Sequence, residues 1–194
     1  MSVLKSFIKY QSLGNDFIIF DWYKRPSVFM QNELHDASWK RFVALICNRH
    51  FGVGADGVLI VTGASQTGMP EVLVFNADGS SAQTCLNGLR CVADYLFLQY
   101  HFPEQFTITM GARTFDCCAR RGVGGAVLVE TKIAPVVYEG ARTVVLQDRV
   151  FDGHVVSVGN PHFIVFEQIT MPVLEACGKA LETHALFPAG TNVE

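Results

Sequence analysis

The chain has 194 residues, of which 49% are hydrophobic and 17% charged, with 17 glycines and 15 phenylalanines; this excludes a disordered or fibrous protein and allows one large domain or two small ones. Fifteen basic against 18 acidic side chains leave a net charge of −3, so the electrostatic footprint of a nucleic-acid or anionic-membrane binder is missing. Lys5 and Lys9 interrupt the opening MSVLKSFIKY before a signal-peptide core can build, and no run reaches the roughly 18 apolar residues of a membrane span, so the expected location is the cytoplasm.

In chain order, β-branched and aromatic runs bounded by Gly, Asn and Asp predict strands at Phe7–Tyr10, Asp16–Trp22 and Val58–Thr62. Between the last two, Trp39, Phe42, Val43 and Ile46 recur at helical spacing, with Ser38 as the expected cap and an end near Asn48. That helix feeds the glycine-rich loop FGVGADG, residues 51–57. Strand Glu71–Phe75 runs into the turn Asn76–Gly79, and after Cys85 a second helix carries Leu89, Val92, Ala93, Leu96 and Tyr100 on one face. Strands follow near Phe106–Met110, Thr114–Ala119 and Ala126–Thr131, and the pattern pauses at Ala134–Pro135. Two domains are therefore expected, residues 1–135 and 136–194.

The chain also echoes itself. Ser12–Leu13–Gly14–Asn15–Asp16–Phe17–Ile18–Ile19–Phe20 returns, with one insertion, as Ser157–Val158–Gly159–Asn160–Pro161–His162–Phe163–Ile164–Val165–Phe166. Self-similarity of this kind predicts a duplicated strand–turn–strand unit with a cleft between the halves; a chance match of two glycine turns is the alternative. The interval from Asn15 to Cys85, counted on from Asn160, runs past Glu194, so the second unit is expected to be incomplete.

Six cysteines stand at 47, 85, 91, 117, 118 and 177 without a CxxC pair, which argues against a zinc site or a disulfide framework. Most are expected to be small core residues, Cys91 among them. Cys85 differs. It follows the polar, turn-rich run FNADGSSAQT and begins a helix, where unpaired amides and the positive end of the macrodipole favour thiolate and can cradle a carboxylate. Gly88 is expected to allow close backbone approach, and Asn76 and Asn87 offer neutral hydrogen-bonding groups suited to a zwitterion. The sulfur is thus a candidate acid–base group for proton transfer at carbon.

The segments YQSLGNDFIIFD, ICNRHFGVGADGVLIV, VFNADGSSAQTCLNGLRC, VVSVGNPHFIVF and FPAGTNVE resemble, in that order, the signature blocks of diaminopimelate epimerase, and the resemblance spans the chain. It implies an α/β (α+β) fold of two pseudo-symmetric domains, each a sheet wrapped around a central helix, with the active site between them. It also implies a cofactor-independent isomerase: one cysteine thiolate removes the α-proton and a second thiol protonates the opposite face, interconverting LL- and meso-diaminopimelate for lysine and peptidoglycan precursors. No electron sink assists, so geometry and fixed dipoles must stabilise the carbanion.

By the same resemblance Cys85 and His162 are the catalytic candidates, although a histidine in this position can also merely close a turn. Asn15, Asn76, Leu86, Asn87, Gly88, Asn160 and Asn192 are the expected substrate contacts. No metal and no cofactor are expected; the partner is a small amino acid, and a homodimer is left open. The sequence departs from the family at Leu86, where glycine is usual, and at Gly57, where many members have glutamine. It also lacks, after TNVE, the second cysteine block and the Glu–Arg pair before it. The expectation is an N-terminal part of an epimerase, inactive alone; the alternatives are a catalytically incomplete amino-acid-binding module or a related epimerase with another substrate.

Overall fold

Two antiparallel hairpins, each followed by a helix and a strand that returns parallel to it, organise the chain. The computed structural model describes residues 6–24, 34, 36–63, 68–146 and 148–194, which divide into the compact units Met1–Lys132 and Ile133–Glu194.

In the first unit, β1 (Ile8–Ser12) and β2 (Asn15–Trp22) pair with Ser12 opposite Asn15. The two-residue connection, Leu13–Gly14, has positive φ at both positions, 57° and 83°, as a type I′ hairpin turn requires. Helix α1 (Ala37–Cys47) then carries the chain to β3 (Gly57–Gly63), parallel to β2, and β4 (Pro70–Asn76) returns antiparallel. The two-residue β5 (Ser81–Ala82) pairs with β4, and helix α2 (Leu86–Tyr100) leads to β6 (Gln105–Met110), β7 (Arg113–Arg121) and β8 (Val127–Thr131). The sheet order is β1-β2-β3-β4-β6-β7-β8. Strands from both ends of that order, β1 and β8, pack on α2, so the sheet curls around this helix.

Side-chain alternation along the central strands fills both faces. Phe17 and Ile19 of β2, Leu59 and Val61 of β3, and Val72 and Val74 of β4 join Leu89, Val92 and Leu96 of α2 in one core. Their neighbours Ile18, Phe20, Val58, Ile60 and Phe75 form a second core with Trp39 and Val43 of α1. Burial on both faces explains why β2 and β3 read as unbroken apolar runs rather than alternating ones. Each large side chain so buried contributes about 1.5–3 kcal/mol.

One sequence expectation is corrected: α1 is capped by Asp36, not Ser38. The Asp36 carboxylate accepts the Trp39 amide at 2.8 Å and the Ser38 hydroxyl at 2.7 Å, so Ser38 already lies inside the first turn. The C-terminal end does fall at Asn48, whose side chain accepts the His50 and Phe51 amides.

The second unit holds β9 (Val137–Leu146), β10 (Arg149–Ser157), β11 (Pro161–Val165), helix α3 (Met171–Glu182) and β12 (Asn192–Val193). Its sheet order is β12-β11-β10-β9, with β12 parallel to β11 and the other pairs antiparallel. Val144, Phe151, Val155, Phe163 and Leu181 form its core.

The sequence echo is therefore a structural one, hairpin–helix–parallel strand in both units, and it extends further than the hairpins. Phe51–Gly57 (FGVGADG) matches Phe187–Val193 (FPAGTNV). Gly54 and Gly190 share a φ of 78°, a conformation glycine adopts without steric cost. The next residue in each case, Ala55 or Thr191, donates its amide to the last residue of the preceding helix, Cys47 or Glu182.

Candidate active site

Cys85 is the N-cap residue of α2, in extended conformation, and its sulfur accepts the Gly88 amide at 3.3 Å. Its own amide donates to Met110 Sδ at 3.2 Å, which anchors the cap to β6. The first turn of α2 contains no acidic side chain, so the positive end of the helix is available to an anion. Gly88 does permit a close approach, but of helix to sheet: a Cβ there would stand 3.0 Å from Leu59 Cδ2 and 3.4 Å from the Cys85 sulfur.

Electrostatically the site departs from the expectation of an easily formed thiolate. Burial pushes the Cys85 thiol above its ordinary value, and the Gly88 and Asn87 amides and the Arg90 charge pull it back only in part. Sequence showed the helix terminus but not the apolar lid over it, since Cys85 and Leu86 pack against the core that contains Leu59, Leu89 and Met110.

Strand register gathers the other first-unit candidates at one end of the sheet. Asn15 opens β2, Gly57 pairs with Phe17 on one side and Asn76 on the other, and Asn76 closes β4. The Asn15 side-chain oxygen is buried without a partner, which marks it as an acceptor awaiting a donor. Asn76 is exposed, and its side-chain amide donates to Ser80 Oγ at 2.9 Å within the turn. At Gly57 a Cβ would lie 2.5 Å from the Phe75 carbonyl oxygen, so no side chain fits on this backbone.

Two polar connections, not anticipated from sequence, hold this end together. Arg90 donates through Nε to Ser12 Oγ at 3.1 Å and through Nη2 to Asn87 Oδ1, joining the start of α2 to the hairpin and committing the Asn87 carbonyl. Asp16 and Asp56 accept each other's backbone amides at 3.0 Å, while Arg49 bridges both carboxylates and Lys9 pairs with Asp16. Those cations hold the Asp16 carboxyl well below the usual range. The clamp fastens the Asn15 turn to the glycine-rich loop.

The remaining candidates belong to the second unit. Asn160 is exposed in the loop between β10 and β11, and His162 stands opposite Asn192 in the parallel β11–β12 pair. Asn192 Nδ2 donates to the Pro161 carbonyl at 3.4 Å. His162 Nδ1 lies 2.7 Å from Glu194 Oε1, and its Nε2 is buried with no partner. Glu194 was not singled out in the sequence; its partner is 32 positions away, and the signal that could have exposed it is the FGVGADG/FPAGTNV echo, which predicts β12. Among the described residues no group of three His, Cys, Asp or Glu side chains could hold a metal.

The fold has a solved counterpart. A hydroxyproline epimerase from Agrobacterium vitis, solved with trans-4-hydroxy-L-proline bound, superposes with a TM-score of 0.67 at 12% identity, over 96% of this chain and 64% of that one; this shows a shared fold. The family follows from sequence. The model for diaminopimelate epimerase matches residues 7–118. The diaminopimelate epimerase of Carboxydothermus hydrogenoformans is 33% identical, and that of Prochlorococcus marinus 31%, each over 97% of this chain and 70% of the relative. The chain belongs to the diaminopimelate epimerase family, a family of isomerases, and spans 70% of the length of these curated relatives.

Proposed function

We propose that this protein serves the interconversion of LL- and meso-diaminopimelate, supplying the acid–base groups Cys85 and His162 and a large part of the substrate contacts. The observation that carries the reading is Cys85 at the N-terminus of α2, its sulfur held by the Gly88 amide at 3.3 Å in a chain of this family. The α-carboxylate of the amino acid binds the unneutralised amides of the first turn, which places the α-carbon beside the sulfur. Asn15, Asn76, Asn87, Asn160 and Asn192 contact the substrate through neutral groups, and Leu86 and Gly88 border its carboxylate.

Inversion without a cofactor needs one base and one acid on opposite faces of the carbon. The upward shift of the Cys85 thiol fits it to the acid role in the resting protein: its proton goes to the α-carbon, and the thiolate left behind regains one from solvent or acts as base in the reverse direction. Of the other cysteines, Cys47, Cys91 and Cys117 are buried, Cys118 lies on β7 and Cys177 inside α3. None stands at a helix N-terminus, so the opposing thiol of the two-base mechanism is not one of these five.

Two measurements test the proposal. Diaminopimelate should slow alkylation of Cys85 by iodoacetamide several-fold, whereas lysine, lacking the second carboxylate, should protect weakly. In deuterium oxide, a form of the protein carrying both thiols should place deuterium at the α-carbon, and Cys85→Ala should abolish this. No protection together with no exchange would remove the assignment.

A further inference from the structure

We propose that Glu194 is a positioning residue for His162: its carboxylate fixes the imidazole in the Nδ1–H tautomer and leaves Nε2 as a buried proton acceptor. The tautomer follows from donor and acceptor chemistry. An ionised carboxylate only accepts, so the 2.7 Å contact between Glu194 Oε1 and His162 Nδ1 places a proton on Nδ1. On a neutral ring Nε2 is then a lone pair. That atom is shielded from water and has no hydrogen-bond partner, which is costly unless a proton donor reaches it during function.

The backbone holds the pair in place. The Glu194 amide donates to the Phe163 carbonyl at 3.1 Å, and the Glu194 carbonyl accepts the Val165 amide at 2.7 Å. Alternation along β11 turns Phe163 and Val165 into the core and His162 to the other face, where Glu194 reaches it. The closest competitor, Asn192, directs its amide to Pro161, and the residue opposite His162 on β10 is the apolar Val156. The His162 side chain is 18% exposed against 59% for Glu194, so the carboxylate stays hydrated while the ring it orients is sheltered.

What Nε2 accepts rests on the function proposed above. A proton received at Nε2 from an acid–base group of the site makes an imidazolium that the Glu194 carboxylate balances, as in the carboxylate–histidine pairs of hydrolases. Glu194 neither gains nor loses a proton in that step.

The test is 15N NMR of the histidine-labelled full chain, recorded where imidazole is neutral. His162 should show a protonated Nδ1 and an unprotonated Nε2. In Glu194→Ala the proton should shift toward Nε2, whereas Glu194→Gln, whose carbonyl still accepts, should keep it on Nδ1; dispersed amide spectra show that both variants are folded. A proton on Nε2 in the parent protein, or a tautomer unchanged in Glu194→Ala, overturns the proposal. Absence of α-deuterium exchange by a form of the protein carrying both thiols, with the Nδ1–H form intact, would instead remove the epimerase reading and leave this one standing.

Discussion

At Cys85 two effects of opposite sign meet within one helical turn. The amides of Asn87 and Gly88 and the charge of Arg90 favour thiolate; burial opposes them and wins, because taking a charge out of water costs more than two amides return. Alkylation of Cys85 by iodoacetamide, followed by peptide mass spectrometry, should therefore titrate above the 9.0 of an ordinary thiol. Arg90→Gln should move that midpoint higher still and slow the reaction at pH 8, since a nearby positive charge stabilises thiolate; a midpoint moved downward would contradict this account. The same substitution frees the Asn87 carbonyl and detaches α2 from Ser12, so binding of diaminopimelate should weaken in parallel.

At the scale of elements, close approach dictates residue choice more sharply than propensity does. Gly57 begins β3 under the Phe75 carbonyl, where a Cβ would sit at 2.5 Å and the obstructing atom is backbone that cannot rotate away. Gly57→Ala should cost about 1–3 kcal/mol through overpacking, read as a lower urea midpoint with an unchanged slope. Much of this architecture was legible in the sequence. The apolar spacing from Leu89 to Leu96 and the polar run before Cys85 gave α2 and its cap, and the repeated SxGN turns gave both hairpins. What stayed hidden depends on partners distant in sequence or on choices between equals. Asp36 and Ser38 are both good caps, and only the Trp39 amide decides between them. The FGVGADG/FPAGTNV echo keeps little more than a phenylalanine and a glycine, too few identities to be read without the helix ends to which both loops bond. The apolar surroundings of the Cys85 sulfur come from Leu59 and Met110, on strands far from it along the chain.

For the molecule as a whole, the buried thiols make a prediction about alkali. Burial raises Cys47 to about 11 and Cys91 and Cys117 to about 12, from an ordinary 9.0. Below pH 9 folded and unfolded chains both hold these protons and nothing changes. Above it the unfolded chain releases protons that the folded one retains, so stability should fall as pH rises from about 9 toward 12. Urea midpoints at pH 8, 10 and 11 should decline in that order, and Cys117→Ala should flatten the decline; a midpoint independent of pH would show these thiols to be solvated. The parallel crossovers carry a consequence in time. Phe17 pairs with Gly57, and His162 with Asn192, across the whole length of a helix, and such long connections should be slow to close. During folding, helices and hairpins thus come early and the residues assigned to chemistry come into register late, so the protein regains its shape by spectroscopy before it regains its His162–Glu194 pair.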